Sequence, residues 1–112
     1  MEIKCTFIEL SPFSSDRDDF FSSDLEYSKF QDELNNHPEG EGVIKGTGGF
    51  RKFRWDIGNN KGKSGGCRVI YLHIPSKNIF YLALIFSKNK QVNLTEVQKK
   101  QLKGIVGFLK QE

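Results

Sequence analysis

The chain has 112 residues, 37% hydrophobic and 28% charged, with ten Phe, three Tyr and one Trp. That is one domain's worth of chain with a modest aromatic core, neither disordered nor collagen-like; its longest apolar run, Ile79 to Phe86, is eight residues, against the roughly 18 to 20 that span a bilayer. Net charge is only +3, but residues 1–42 carry three bases against eleven acids (−8) and residues 43–112 carry fourteen bases against three acids (+11), which points to an acidic side and a basic side that meets phosphates.

Ile3 to Ile8 reads as a short strand with Ile3, Cys5 and Phe7 on one face. Ser11-Pro12 reads as a helix start, Ser as N-cap and Pro in the first turn, and this helix carries Phe13, Phe20 and Phe21. Ser23-Asp24-Leu25-Glu26 is a capping box that opens a second helix, with Leu25, Tyr27, Phe30 and Leu34 at helical spacing and His37-Pro38-Glu39-Gly40 as its end. Five glycines between Gly40 and Gly49 predict a loop that brings backbone close to a neighbour. From Phe50 the period becomes two: Arg51, Phe53, Trp55 and Ile57 form a largely apolar face, and Phe50, Lys52, Arg54 and Asp56 a cationic one. Gly58 to Gly66 is a hairpin connection. Cys67–Ile74 and Ile79–Phe86 are two nearly unbroken apolar strands joined at Pro75 to Asn78, as central strands covered on both faces are. Thr95-Glu96-Val97-Gln98 is a second capping box, and the helix behind it places Leu102, Ile105, Val106 and Leu109 on one stripe. The order predicts a small α+β domain spanning residues 1–112: a mostly antiparallel four-stranded sheet with two N-terminal helices packed on it and a C-terminal helix.

Seven cations, Lys45, Arg51, Lys52, Arg54, Lys61, Lys63 and Arg68, fall within 24 residues, offset there by Asp56 alone. Pleating sets Lys52 and Arg54 on one face about 7 Å apart, and Arg68 opens the partner strand across the hairpin. Converging cations repel, so the rest of the fold must support them, and together they make an anion site. A plain basic edge strand that discourages aggregation is the competing reading; the flanking glycines favour a phosphate-binding surface.

Other chemistries find less support. Residues 57–64 (IGNNKGKS) look like a P-loop but have Ile where its first Gly belongs and lie between strands. His37 and His73 have no partner at ligand spacing, so no metal and no cofactor is expected. Cys5 and Cys67 form neither a CxxC pair nor a zinc set, which fits a reducing compartment; the N-terminus lacks a signal-peptide core. No motif marks a nucleophile.

Three ordered blocks resemble the HigB branch of the RelE toxins: residues 44–55 (IKGTGGFRKFRW), residues 62–71 (GKSGGCRVIY), and residues 82–90 (LALIFSKNK) followed by Leu94-Thr95. The resemblance runs from about residue 24 to 109. It implies an mRNA interferase of a bacterial type II toxin–antitoxin pair, a cytoplasmic protein that enters the ribosomal A site and cuts the message there without a metal. It also implies a HigA-like helix-turn-helix antitoxin as partner, with operator DNA engaged only through that antitoxin and no membrane contact. Residue by residue, Lys52 and Arg54 match the two basic positions of the family's active-site strand, Arg68 the arginine after the hairpin, and Lys88 the lysine of the KN block, with Asn89 beside it. Phe86 stands where relatives often have Tyr, and Asn89 and Leu94 where better-studied members have Arg and Tyr, so the general acid and base stay open.

On this reading Arg54 and Arg68 clamp the phosphate, because guanidinium forks match two phosphoryl oxygens at once. Lys52, crowded by them, is the local candidate to accept the 2′-OH proton. Lys88 protonates the leaving oxygen or binds phosphate, and Lys45, Arg51, Lys61 and Lys63 grip RNA backbone. The rival functions are a non-catalytic RNA- or ribosome-binding module and a ParE-like toxin acting on gyrase.

Overall fold

The computed structural model describes residues 5–56, 66–91 and 93–111. In chain order the elements are β1 (Thr6–Glu9), α1 (Ser11–Asp16), a 3-10 turn (Arg17–Asp19), α2 (Asp24–Asn36), β2 (Arg51–Trp55), β3 (Cys67–Ile74), a 3-10 turn (Pro75–Lys77), β4 (Ile79–Ser87) and α3 (Glu96–Gln111). The sheet order is β1-β4-β3-β2, with β1 parallel to β4 and the other pairs antiparallel. The two nearly unbroken apolar runs, β3 and β4, are the central strands, and the α+β architecture expected from the sequence is the one observed.

Both capping boxes form, to different extents. The Ser23 hydroxyl accepts the Glu26 backbone N–H at 3.2 Å. At α3 the box is reciprocal: the Thr95 hydroxyl accepts from the Gln98 backbone at 3.1 Å, and the Gln98 side-chain oxygen accepts from the Thr95 backbone at 2.9 Å. Tyr27, Phe30 and Leu34 are buried as expected, but Leu25 is 65% exposed. It lies two residues before Tyr27, about 200° around the helix from that stripe.

The N-terminal segment differs in detail. The strand runs from Thr6 to Glu9 and not from Ile3, and residues 1–4 lie outside the described residues. Leu10, without a side-chain cap, occupies the N-cap position expected for Ser11, which is the first helical residue. The cause is the sheet: the Leu10 N–H donates to the Leu82 carbonyl at 2.8 Å, so the chain leaves β4 only after Leu10. The helix ends at Asp16, and Phe20 and Phe21 lie beyond it.

Each face of the sheet has its own core. On one, Phe13, Phe21, Tyr27, Phe30 and Leu34 pack against Phe53, Val69, Tyr71, Phe80 and Leu82. There Glu9 gathers Ser14 (2.7 Å), Arg17 (2.9 Å) and Tyr27 (2.7 Å), and Arg17 lies over the Tyr27 ring, tying β1 to both helices. On the other face, Leu102, Val106 and Leu109 of α3 cover Phe50, Ile70, Leu72, Ile74, Tyr81 and Ala83. Between the Ile70–Leu84 and Tyr71–Leu82 pairs β4 has one residue more than β3, a bulge at Ala83 that sets which β4 residues face α3.

Candidate functional site

The antiparallel register sets Arg54 directly opposite Arg68, and Arg68 directly opposite Phe86. Opposed residues share a face with Cβ atoms about 4.5–5.5 Å apart, and Lys52 is on that face one pleat along β2. This is the face of α3, at the end the helix leaves uncovered. The expected convergence of Lys52, Arg54 and Arg68 is therefore present. The two arginines also have acidic partners. Arg54 Nε lies 3.8 Å from Asp56 Oδ1. Arg68 Nε lies 3.7 Å from Glu41 Oε1, and its side chain is only 13% exposed.

Glu41 is the residue the sequence reading missed. Its backbone N–H donates to the Lys52 carbonyl at 2.7 Å, so its segment runs along the outer edge of β2, while Arg68 is on β3 at the inner edge. Adjacent strands are about 4.8 Å apart. The ion pair therefore has to bridge over β2, and Arg68's face of the sheet is that of Lys52 and Arg54. A carboxylate thus sits among the cations. The signal was faint: Glu41 is the one acid between residues 40 and 55, and nothing in sequence sets it against a residue 27 positions later.

The glycine-rich loop frames the site from this edge. Buried Thr47 organises it, donating its hydroxyl to the Ile44 carbonyl at 2.7 Å and accepting the Phe50 N–H at 3.0 Å. At Gly40, with φ +53°, an added Cβ would run into the Tyr71 hydroxyl and the Lys52 carbonyl; only glycine permits that approach. Ile44 then overhangs a cleft of about 330 Å³ lined also by Lys52, Ile70, Phe86, Leu94 and the polar Asn93, Glu96 and Lys99. A second groove, between α1 and α3, is lined by residues such as Leu84, Ile105 and Phe108 and has no charged side chain.

The remaining candidates are dispersed. Arg51 is on the opposite face, where its guanidinium donates to the Glu39 carbonyl at 3.0 Å; alternation alone separates it from the cluster. Lys45 is exposed on the glycine-rich loop. Lys88 and Asn89 occupy the exposed turn after β4. The Lys88 N–H donates to the Gly66 carbonyl at 3.4 Å, holding this turn beside the start of β3, and the Asn89 N–H donates to the Ser87 hydroxyl at 3.1 Å. Lys61 and Lys63 lie outside the described residues. Cys67, directly opposite Trp55 on β2, is buried, and burial pushes its thiol up to about 12, leaving it no nucleophilic role.

No family model matches the sequence. Among solved structures, the chain is similar to the Escherichia coli toxin RelE, determined in the free state as a mutant with two arginines replaced by alanine. The TM-score is 0.58 at 16% sequence identity, over 93% of this chain and all of that one. The fold is RelE-like.

Proposed function

We propose that this chain, as a single domain over residues 1–112, is the toxin of a bacterial type II toxin–antitoxin pair, an mRNA interferase of the HigB branch that cuts messages on the ribosome. The observation that carries the reading is the cross-strand set of Arg54, Arg68 and Lys52 with the Glu41 carboxylate reaching into it. The RelE-like fold and the three sequence blocks support it. On this reading the protein works in the cytoplasm, is neutralised by a HigA-like helix-turn-helix antitoxin, and meets operator DNA only through that partner.

The reaction needs no metal. The ribose 2′-oxygen attacks the adjacent phosphorus, the bond from phosphorus to the 5′-oxygen breaks, and the products are a 2′,3′-cyclic phosphate and a 5′-hydroxyl. Arg54 and Arg68 hold the phosphoryl oxygens where charge gathers in the transition state. Glu41 takes the 2′-OH proton, since a carboxylate beside the clamp is a better acceptor than a lysine ammonium, which has only donors. This revises the role expected of Lys52, which instead returns a proton to the leaving 5′-oxygen. Lys88 and Asn89 bind backbone, as do Lys45, Lys61 and Lys63. In-line geometry comes from the ribosome, which converts a weak free nuclease into an efficient one.

Primer extension on messages from cells induced for the wild type and for Arg68→Ala tests the assignment. Wild type should leave cleavage sites within translated codons, with cyclic-phosphate ends, and little cutting of naked RNA. Arg68→Ala should lose about 10² to 10³ in rate, as for loss of one oxyanion-hole donor. Growth arrest by Arg68→Ala equal to wild type at equal protein level would overturn the clamp. The deep seating of Arg68 against Glu41 favours one rival, a binding module without chemistry; translation arrest with uncut message would establish that instead.

A further inference from the structure

We propose that the cleft beside Lys52 is a nucleobase subsite that takes an unstacked guanine of the RNA. The proposal rests on the ribonuclease reading of the adjoining cations and names the base that reading leaves open. The cleft and the clamp are one continuous surface: Lys52 belongs to both, and Phe86, a wall of the cleft, is paired with Arg68 across the sheet. A nucleotide whose phosphate is held at Arg54 and Arg68 has its base directed along this face. Single-stranded RNA is read in this manner, by aromatic stacking and by hydrogen bonds to base edges.

Size and lining both fit. At about 330 Å³ the cleft is at the lower end of small-molecule sites, about 300 to 1,000 Å³, so it accepts one base and not an extended ligand. Ile44, Ile70 and Leu94 make an apolar floor, Phe86 offers a ring for stacking, and the polar groups gather on the α3 side. There Lys99 Nζ lies 3.4 Å from Glu96 Oε2, so an ammonium and a carboxylate stand side by side. Guanine alone presents two adjacent N–H donors, N1 and N2, next to a carbonyl acceptor, O6. The carboxylate can take both donors and the ammonium can serve the carbonyl. Cytosine and adenine offer one amine next to a bare ring nitrogen that faces the second carboxylate oxygen, and uracil offers one N–H between two carbonyls. Asn93, whose amide both donates and accepts, flanks the same rim.

The test uses the labelled full chain and four uncleavable 2′-O-methyl trinucleotides, UGU, UAU, UCU and UUU, followed by amide chemical shifts, with guanosine monophosphate as a separate arm. UGU should bind about tenfold or more tighter than UUU, in keeping with a bidentate base contact, and move Phe86, Asn93, Glu96 and Lys99. Glu96→Gln should bring UGU to the level of the others without altering the fold. The free mononucleotide should bind more weakly than UGU, because the clamp adds to the base; equal binding would mean a free-nucleotide site and overturn the RNA assignment. Equal affinity for all four trinucleotides, shifts confined to residues outside the cleft, or a Glu96→Gln variant that keeps the preference would each overturn the proposal. Guanine binding by a protein that cuts no message would instead sink the ribonuclease reading and leave the subsite standing.

Discussion

Replacing Glu41 by Gln separates catalysis from stability more cleanly than any other change at the site. The Arg68–Glu41 contact is 3.7 Å, and Glu41 is 41% exposed. Unit charges at that distance attract by on the order of 4 to 5 kcal/mol at an effective dielectric of 20. Water at the exposed carboxylate and the lost side-chain entropy reduce the net value to about 0.2 to 1 kcal/mol. Removing the carboxylate also leaves Arg54, Arg68 and Lys52 to repel one another, so the change is destabilising and not neutral. For a domain of 112 residues a loss near 1 kcal/mol lowers Tm by about 4 °C, leaving the protein folded. Activity is expected to respond on another scale, falling by about 10² to 10⁴ for loss of a positioned general base. The assay is single-turnover cleavage of message on programmed ribosomes, beside a thermal melt of the same preparation. Glu41→Asp, which keeps the charge on a shorter arm, should recover part of the rate, and Glu39→Gln should do nothing to it. A folded Glu41→Gln protein that cuts within about threefold of wild type, against the roughly 10²-fold minimum for a lost base, would refute the proton-acceptor role and return it to Lys52.

Stability should fall in two steps as the solution is acidified. Burial, with the Arg51 charge nearby, lowers the His73 imidazole, so the fold favours the neutral form and loses stability as pH drops through the ordinary histidine range near 6.5. Burial alone would raise Glu9, but the hydrogen bonds from Tyr27 and Ser14 and the Arg17 charge outweigh it and hold the carboxyl below its usual value. The stability Glu9 contributes is present above the ordinary glutamate range near 4.3 and is lost as pH falls through its lower folded value. Urea denaturation from pH 8 to 3 should show His73→Gln flattening the first step and Glu9→Gln the second; unchanged profiles would refute both. Cys67, buried and pushed up to about 12, should react with iodoacetamide at neutral pH only upon unfolding; in a Cys5→Ser background, which removes the other, partly exposed thiol, rapid labelling of the native protein would contradict the buried assignment. At Gly66, with φ +62°, an added Cβ would strike the Trp55 carbonyl. Gly66→Ala should therefore lower Tm and weaken growth arrest together by displacing the start of β3, and a variant with wild-type melting would show that this turn has slack.

The sheet and α3 were legible in the sequence because their signals are local. Period-two alternation placed Lys52 and Arg54 on one face, nearly unbroken apolar runs marked β3 and β4 as central, and Thr95 with Gln98 fixed the start of α3. The less legible parts depend on contacts between distant segments. Ser11 has the chemistry of an N-cap, yet the hydrogen bond from Leu10 to Leu82 moves the boundary by one residue. Leu25 counts as apolar in any periodic scan but misses the stripe set by Tyr27, Phe30 and Leu34. Glu41 and the rim of the cleft were invisible for the same reason: each is made by chain segments that meet only after folding.

One face of the sheet is core at one end and site at the other, and this division explains how charge can be gathered there. Leu72, Ile74 and Tyr81 lie under α3, while Lys52, Arg54, Arg68 and Phe86 continue the same face beyond its start. The helix stops short because its reciprocal cap at Thr95 and Gln98 fixes the first turn, so the boundary falls at Ile70, Phe86 and Leu94, the apolar walls of the cleft. Had α3 begun two turns earlier, roughly 11 Å along its axis, it would have covered the cations, and unpaired buried charges cost several kcal/mol each. As built, Arg68 is deep enough to be held in place by Glu41, and Arg54 is open enough to meet a ligand. The start of α3 therefore fixes how far along the strands the apolar core extends and where an anion can first approach them.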